Sequence, residues 1–169
     1  MRALVEQASG YCVALVASNK QDAPGLDWAR GHHLDTWALD SKGLAKEEFD
    51  REMSRILDER GIGTIALAGF MRILSPWFVH EWRGRILNIH PSLLPKYRGL
   101  DTHRRALEAG DPSSGCSVHI VTEELDAGEV LGQAEVRIEA GDTPASLEQR
   151  VLAAEHRLYP KVLGEFVTR

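Results

Sequence analysis

Cysteine is scarce in this chain. Cys12 and Cys116 are the only two, and no metal-ligand spacing connects them. Two thiols are too few for a disulfide framework, so the small stapled secreted scaffolds are excluded and reduced thiols in a cytoplasm are expected. Long apolar runs are missing too. No stretch reaches the roughly 18–20 residues that a membrane helix needs, and the first residues are amphipathic, not a basic stub ahead of an apolar block. Neither a membrane span nor a signal peptide is expected. Basic charge falls short: 20 Lys and Arg against 25 Asp and Glu leave a net −5. A general nucleic-acid binder carries the opposite footprint. No Gly-x-Gly-x-x-Gly and no Walker loop follows a strand, so no nucleotide cofactor is indicated. Seven histidines are present (His32, His33, His80, His90, His103, His119 and His156), yet none forms a His-Glu-x-x-His pair or a Cys/His pair at zinc spacing. No metal is expected.

What is present is an ordinary globular composition. The chain has 169 residues, 43% hydrophobic and 27% charged, enough for one domain with a real core. Tyr11–Ala17 is a continuous apolar run and reads as a strand buried on both faces. A short helix over Leu26–Arg30 and a short strand over Thr36–Leu39 follow. Phe49, Met53, Ile56 and Leu57 recur at helical spacing, which predicts a helix over Ala45–Arg60. Thr64–Ala68 is the next buried strand. Ser75-Pro76 caps a helix that runs to Trp82. Arg85–Ile89 reads as a strand, and Asp101 as the cap of a helix through Leu107. Ser117–Thr122 and Val130–Ile138 are two more strands. Thr143-Pro144 opens a last long helix with Leu147, Val151, Ala154 and Leu158 inward and a kink or break at Pro160. Alternating strand and helix predicts an α/β fold, a doubly wound and mostly parallel sheet with an antiparallel portion near the C-terminal half.

Within "RILNIHPSLLPKYRG" a buried strand ends on Asn88 and His90 and stops against Pro91. Proline lacks the donor N–H and restricts its predecessor, so two polar groups are held at the end of a strand. Open α/β sheets place ligands at such ends. A lone strand-end histidine is more often structural than catalytic. Here, however, Asn88 and His90 are two apart and project from the same face. An amide donor beside an imidazole suits chemistry that develops an oxyanion and moves a proton. Leu125-Asp126-Ala127-Gly128 is by itself only a turn. Lys96, Arg98, His103, Arg104 and Arg105 form either a solvated basic face or a site for an anion. Ala68-Gly-Phe-Met-Arg-Ile-Leu74 pairs a glycine with apolar residues that suit either a core or a pocket wall.

"AGFMRIL", "ILNIHPSLLPKYRGLDTHRRALEAGD", "CSVHIVTEELDAG" and "EHRLYP" together resemble the phosphoribosylglycinamide formyltransferases, the folate-dependent enzymes of purine biosynthesis. The resemblance runs from Met1 to the C-terminal helix and implies one Rossmann-like formyltransferase domain over residues 1–169. It implies transfer of a formyl group from 10-formyltetrahydrofolate to the amine of glycinamide ribonucleotide. Carried over by position, it makes Asn88, His90 and Asp126 the catalytic trio. It places Met71, Arg72, Ile73 and Leu74, with Asn88 and Thr122, Glu123, Glu124, Leu125 and Asp126, around the folate. Leu152, Ala153, Ala154 and Glu155 fall near the ribonucleotide. Lys46 stands where the family commonly has a folate-touching arginine, keeping the charge but losing the planar fork. The implied partners are these two small molecules, with no metal, nucleic acid or membrane, in a cytoplasmic monomer or homodimer.

The family opens with a strand, a Gly-x-Gly-Ser-Asn-like loop that binds phosphate, and a helix. This sequence opens "MRALVEQASGYC", which matches the back half of that helix. The expectation is an N-terminally shortened domain that binds folate better than ribonucleotide, with weak or absent turnover. Three rivals remain at this point. A formyltetrahydrofolate hydrolase shares the trio but usually carries an N-terminal regulatory domain, and "GLDTHRRALEAGD" favours the glycinamide enzyme. A methionyl-tRNA formyltransferase would need a tRNA-binding domain and more basic charge. A folate-binding protein without turnover is the reading from another class.

Overall fold

The computed structural model describes residues 1–169. The elements run α1 (Arg2–Glu6), β1 (Val16–Ser18), α2 (Pro24–Gly31), β2 (Thr36–Ala38), α3 (Lys46–Glu59) and β3 (Ile65–Leu67). They continue α4 (Pro76–Glu81), β4 (Ile86–His90), α5 (Thr102–Glu108), β5 (Ser113–Ile120), β6 (Val130–Arg137) and α6 (Pro144–Val167). β1 and β2 form a parallel pair. The second sheet has the order β3-β4-β5-β6, parallel between β3 and β4 and antiparallel beyond. The α/β class and the antiparallel portion in the C-terminal half are therefore as expected, with the strands divided between two sheets.

Alternation along β4 sets the layers. Ile86 joins Phe49, Met53, Leu57, Phe78 and Trp82 in a cluster built from α3 and α4. Leu87 turns the other way and packs with Val118, Tyr159, Val162 and Leu163 of α6. Successive side chains on a strand point to opposite faces, so helices cover both sides. Tyr159 also donates its hydroxyl to the Leu87 carbonyl at 2.9 Å, which fixes α6 to β4.

Four local expectations need correction. The strand expected over Tyr11–Ala17 is regular only from Val16 to Ser18, because its partner β2 is three residues long. The strand expected over Ser117–Thr122 instead spans Ser113–Ile120. Its first half, Ser-Ser-Gly-Cys, lacks β-branched residues; antiparallel pairing with β6 decides the conformation there. A Cβ on Gly115 would stand 2.1 Å from the Ala134 carbonyl oxygen, so glycine permits that close approach. Asp101 sits at the cap position of α5 without capping it, and its carboxylate pairs with Arg104 at 2.6 Å instead. Finally, of the kink or break expected at Pro160 the break does not occur: α6 is continuous through that residue, which is buried.

Ser75 does cap α4, accepting from the Phe78 amide, with Pro76 at the first turn. Beneath it, the buried Trp82 indole donates to the Ser54 hydroxyl at 2.9 Å, joining α4 to α3. Replacing that hydroxyl would strand a buried N–H, at a cost of about 1–3 kcal/mol. Ser54→Ala should therefore lower the urea unfolding midpoint by that amount of stability. Unchanged unfolding would mean that the indole finds another acceptor.

Candidate active site

β4 is paired on both edges, and this aims its polar residues. Leu67 lies opposite Asn88 on the β3 side; His119 lies opposite Asn88, and Ser117 opposite His90, on the β5 side. Asn88, His90, Ser117 and His119 thus share one face. The Asn88 amide nitrogen lies 3.4 Å from His119 Nε2. His90 is buried, with Nε2 donating to the Tyr97 carbonyl at 2.9 Å. Its Nδ1 faces Asp126 Oδ2 at 3.4 Å. Asp126 Oδ1 faces His119 Nε2 at 3.5 Å, and Oδ2 also accepts from the Gly99 amide at 2.9 Å.

The proline-bounded loop after β4 is tied down by side chains of the neighbouring strands. The Ser117 hydroxyl accepts from the Leu94 amide at 3.0 Å and donates to the Ser92 carbonyl at 2.6 Å. Gln133 of β6 donates to Ser117 and to the Leu94 carbonyl, both at 2.9 Å. This rigid loop delivers two groups: the Tyr97 carbonyl to His90 and the Gly99 amide to Asp126. Asp126 itself adopts φ +50°, a conformation that aspartate tolerates better than most residues. A Cβ on Gly128 would lie 1.8 Å from the Ile120 carbonyl oxygen, so glycine lets the turn fold tightly back onto β5.

Burial is the largest single influence on the Asp126 carboxyl and opposes ionisation. The facing His119, the Gly99 amide and the charge of His90 together outweigh it and hold the carboxyl below its usual range. The trio expected from sequence is thus assembled, and His119 joins it. That residue carried no role in the sequence reading. Its signal was the alternation of Ser117 and His119 with apolar Cys116, Val118 and Ile120, which sets two polar side chains on the face opposite a β4 amide.

A model of the formyl transferase family matches residues 1–163. The chain belongs to that family. It is 50% identical to the phosphoribosylglycinamide formyltransferase of Escherichia coli over 155 residues, 91% of this chain and 73% of that one. It is 47% identical to the trifunctional purine biosynthetic protein adenosine-3 of Gallus gallus over 89% of this chain and 15% of that protein. The crystal structure of the phosphoribosylglycinamide formyltransferase from Brucella melitensis superposes with a TM-score of 0.92 at 44% identity, over 99% of this chain and 88% of that one.

The other residues assigned by resemblance take definite places in this formyl transferase. Met71 and Ile73 are exposed, while Leu74 is buried in the α3–α4 cluster, against which Val121 also packs. The segments 71–74 and 122–126 are thereby anchored to one core. Arg72 lies over the Phe49 ring at 5.0 Å and donates to the Ser41 carbonyl. Lys46 is the exposed first residue of α3. Thr122 donates to the Glu124 carbonyl, Glu123 is exposed, Glu124 pairs with Arg98 at 2.6 Å, and Leu125 stands exposed. On α6, Ala154 faces the core with Leu147, Val151 and Cys116, whereas Leu152 and Ala153 face out. Of the basic residues, Lys96 pairs with Asp111 and Arg104 with Asp101. Arg105 donates to the Arg98 and Leu100 carbonyls.

Two titratable groups frame the α6 side. Burial, then the charge of Glu148, push the Glu155 carboxyl up to about 7, with the Met1 amino group pulling the other way. His103 of α5 is shifted down by burial, with Glu148 opposing that shift and His90 adding to it. Its Nδ1 is buried without a protein partner.

Both carboxyl shifts have a sign that can be checked. Asp126, lowered in the fold, stabilises above its unfolded value of about 3.9 and loses that contribution as pH falls through the lower folded value. The stability advantage of the wild type over Asp126→Asn should be present at pH 7 and shrink below about pH 4. Equal acid sensitivity of the two would refute the paired carboxylate. Glu155 is raised in the fold, so its ionisation destabilises progressively from the unfolded value of about 4.3 up to about 7. Glu155→Gln should raise the urea midpoint at pH 8 and leave it nearly unchanged at pH 4. A variant no more stable than wild type at pH 8 would contradict the burial of that charge.

Proposed function

We propose that this chain transfers a formyl group from 10-formyltetrahydrofolate to the amine of glycinamide ribonucleotide, as the names of its relatives imply. The observation that carries the reading is the convergence of Asn88, His90 and Asp126 on one face of the sheet, beside apolar side chains left exposed at Met71, Ile73 and Leu125. The amine nitrogen attacks the formyl carbon, and the carbonyl oxygen gains the negative charge. The Asn88 amide is the donor for that oxygen, and an imidazolium at His90 balances its charge, becoming a donor only by exchanging the Tyr97 carbonyl for it. The new C–N bond is kept as the folate nitrogen leaves with a proton, and the attacking nitrogen gives one up. His90 is the group that relays it. A protonated ring has N–H on both nitrogens and so satisfies both the Tyr97 carbonyl and Asp126, whereas a neutral ring satisfies one. Asp126 thus orients the ring and balances its charge, and His119, with Nδ1 on the Ile120 carbonyl, turns Nε2 toward Asp126 and Asn88 and serves one of them at a time.

The folate would be held by residues 71–74 and 122–126, with Lys46 supplying charge. The ribonucleotide would lie along Leu152–Glu155. An amine is already a good nucleophile, so no metal is called for. Hydrolysis of formyltetrahydrofolate would use the same trio with water in place of the amine. It is not favoured, because the relatives described above are transferases or purine biosynthetic proteins by name. No helix is long and apolar enough to cross a membrane. Cytoplasmic action on small molecules, as a monomer or homodimer, belongs to the same proposal.

His90→Ala and Asp126→Ala should each lower turnover at least about a hundredfold relative to the unaltered chain, within the 10²–10⁴ range of general acid–base groups. Folate affinity, measured by titration calorimetry, should change little. Near-unaltered turnover in either variant would remove the trio from the mechanism. His119→Asn, which keeps a polar side chain, should cost less than His90→Ala.

A further inference from the structure

The loop that brings the Tyr97 carbonyl to His90 holds that residue in an uncommon conformation. Tyr97 adopts φ +57°, in the left-handed region. Glycine enters that region freely, whereas a bulky aromatic residue there is an outlier that its surroundings must hold in place. The carbonyl of this same residue accepts from His90 Nε2 at 2.9 Å and from the Ser92 hydroxyl at 3.5 Å. A carbonyl turns with the backbone of its own residue. Relaxation of Tyr97 to the right-handed or extended region would carry it off the imidazole.

The Tyr97 side chain shows what holds it. Its hydroxyl donates to Asp111 Oδ2 at 2.6 Å, a length typical of O–H bonds to a charged carboxylate. The Asp111 carboxyl is held below its usual range, first by the Tyr97 hydroxyl and then by Lys96, and the Tyr97 hydroxyl is raised above its ordinary value, first by Asp111. Lys96 Nζ also reaches both Asp111 oxygens, at 3.0 and 3.1 Å, but that ammonium is exposed, and exposed ion pairs contribute little. Asp111 is itself fixed by the end of α5. Gly110 is left-handed at φ +67°; its amide donates to the Leu107 carbonyl at 3.0 Å, and the Asp111 amide to the Ala106 carbonyl at 3.2 Å. That pair of bonds is the Schellman ending of a helix. One turn earlier, Arg105 donates to the Arg98 and Leu100 carbonyls and lies over the Tyr97 ring at 5.2 Å.

We propose that Asp111 is a positioning residue for the His90 imidazole. It latches the Tyr97 hydroxyl, which keeps Tyr97 left-handed and its carbonyl on His90 Nε2. The ring then has one orientation, with Nδ1 toward Asp126. With the carbonyl withdrawn, Asp126 alone would hold the ring, and either ring nitrogen can serve a single carboxylate. A group that relays a proton must present a defined nitrogen to the reacting atoms. The carboxylate of Asp111 bonds Lys96 and Tyr97 and none of the catalytic trio, so its influence on His90 runs through Tyr97. The effect on turnover rests on the formyl-transfer reading, whereas the effect on the ring does not.

The test compares the unaltered full chain with Asp111→Ala, Asp111→Asn, Tyr97→Phe and the double variant Tyr97→Phe with Asp111→Ala. In NMR spectra of chains with isotope-labelled histidine, the His90 Nε2–H held on its carbonyl should be protected from exchange with water and give a sharp signal in the unaltered chain. It should broaden or vanish in Asp111→Ala and in Tyr97→Phe. The His119 Nδ1–H, held on the Ile120 carbonyl, should persist in all of them and report an intact sheet. Asp111→Asn keeps an oxygen acceptor for the Tyr97 hydroxyl and should keep the His90 signal. In the formyl-transfer assay, Asp111→Ala should lower kcat by about ten- to a hundredfold, the scale of a misplacement of up to about 1 Å, with KM for both substrates little changed. The double variant should lose no more than either single one, since all three break one bond. A His90 signal that survives Asp111→Ala would overturn the latch, as would an asparagine variant as impaired as the alanine one, or losses that add in the double variant. Loss of the His119 signal together with that of His90 marks general unfolding and would overturn it too. Signals that behave as expected in a chain without measurable formyl transfer would sink the formyl-transfer reading alone and leave the latch standing.

Discussion

The two-sided pairing of β4 is the constraint on which the catalytic face depends. β3 holds it from one side in parallel register and β5 from the other in antiparallel register, so the strand can neither slip nor rotate. A slip of one residue would turn Asn88 and His90 into the α6 core and Leu87 and Ile89 toward substrate. The hydroxyl of Tyr159 on the Leu87 carbonyl and the full burial of Leu87 oppose that slip. Catalytic geometry here is a by-product of strand alternation: Leu87 and Ile89 face α6, while Ile86, Asn88 and His90 share the other face, which turns from core to site along the strand.

A second layer of order comes from groups that are not themselves reactive. Ser117 and Gln133 clamp the loop 91–99, and that loop presents a carbonyl to His90 and an amide to Asp126. The imidazole and the carboxylate are therefore oriented by backbone whose position is decided on β5 and β6. Positioning through a second shell of fixed dipoles is how a site gains precision beyond that of its loops.

Much of this was legible in the sequence. The apolar spacing of α3, the Ser-Pro start of α4 and the alternation in β4 each follow from local chemistry, and they sufficed to pair Asn88 with His90. Asp126 was a plain turn residue until the family resemblance singled it out. Its role rests on a fold-back held by Gly128 and a partner amide 27 residues away at Gly99, neither of which has a local signature. β5 escaped its true limits because serine, glycine and cysteine there take their conformation from β6. His119 escaped because its meaning lies in the cross-strand register. Tyr11–Ala17 read as a doubly buried strand, but it is neither regular throughout nor buried, with Cys12, Ala14 and Ala17 exposed. The pairing available to it ends at Val16–Ser18.

The left-handed backbone at Asp126 has a consequence for tolerance to change. At φ +50° the position accepts asparagine and glycine with little penalty, while β-branched residues are strained there. Substitutions that suit the backbone best are thus among those that abolish the carboxylate. In a library of variants at this codon, cellular abundance and catalytic output would rank the amino acids in different orders. The carboxylate at this turn thus contributes through its paired charge, to stability as well as to the site, and not through the backbone conformation, which asparagine and glycine also adopt.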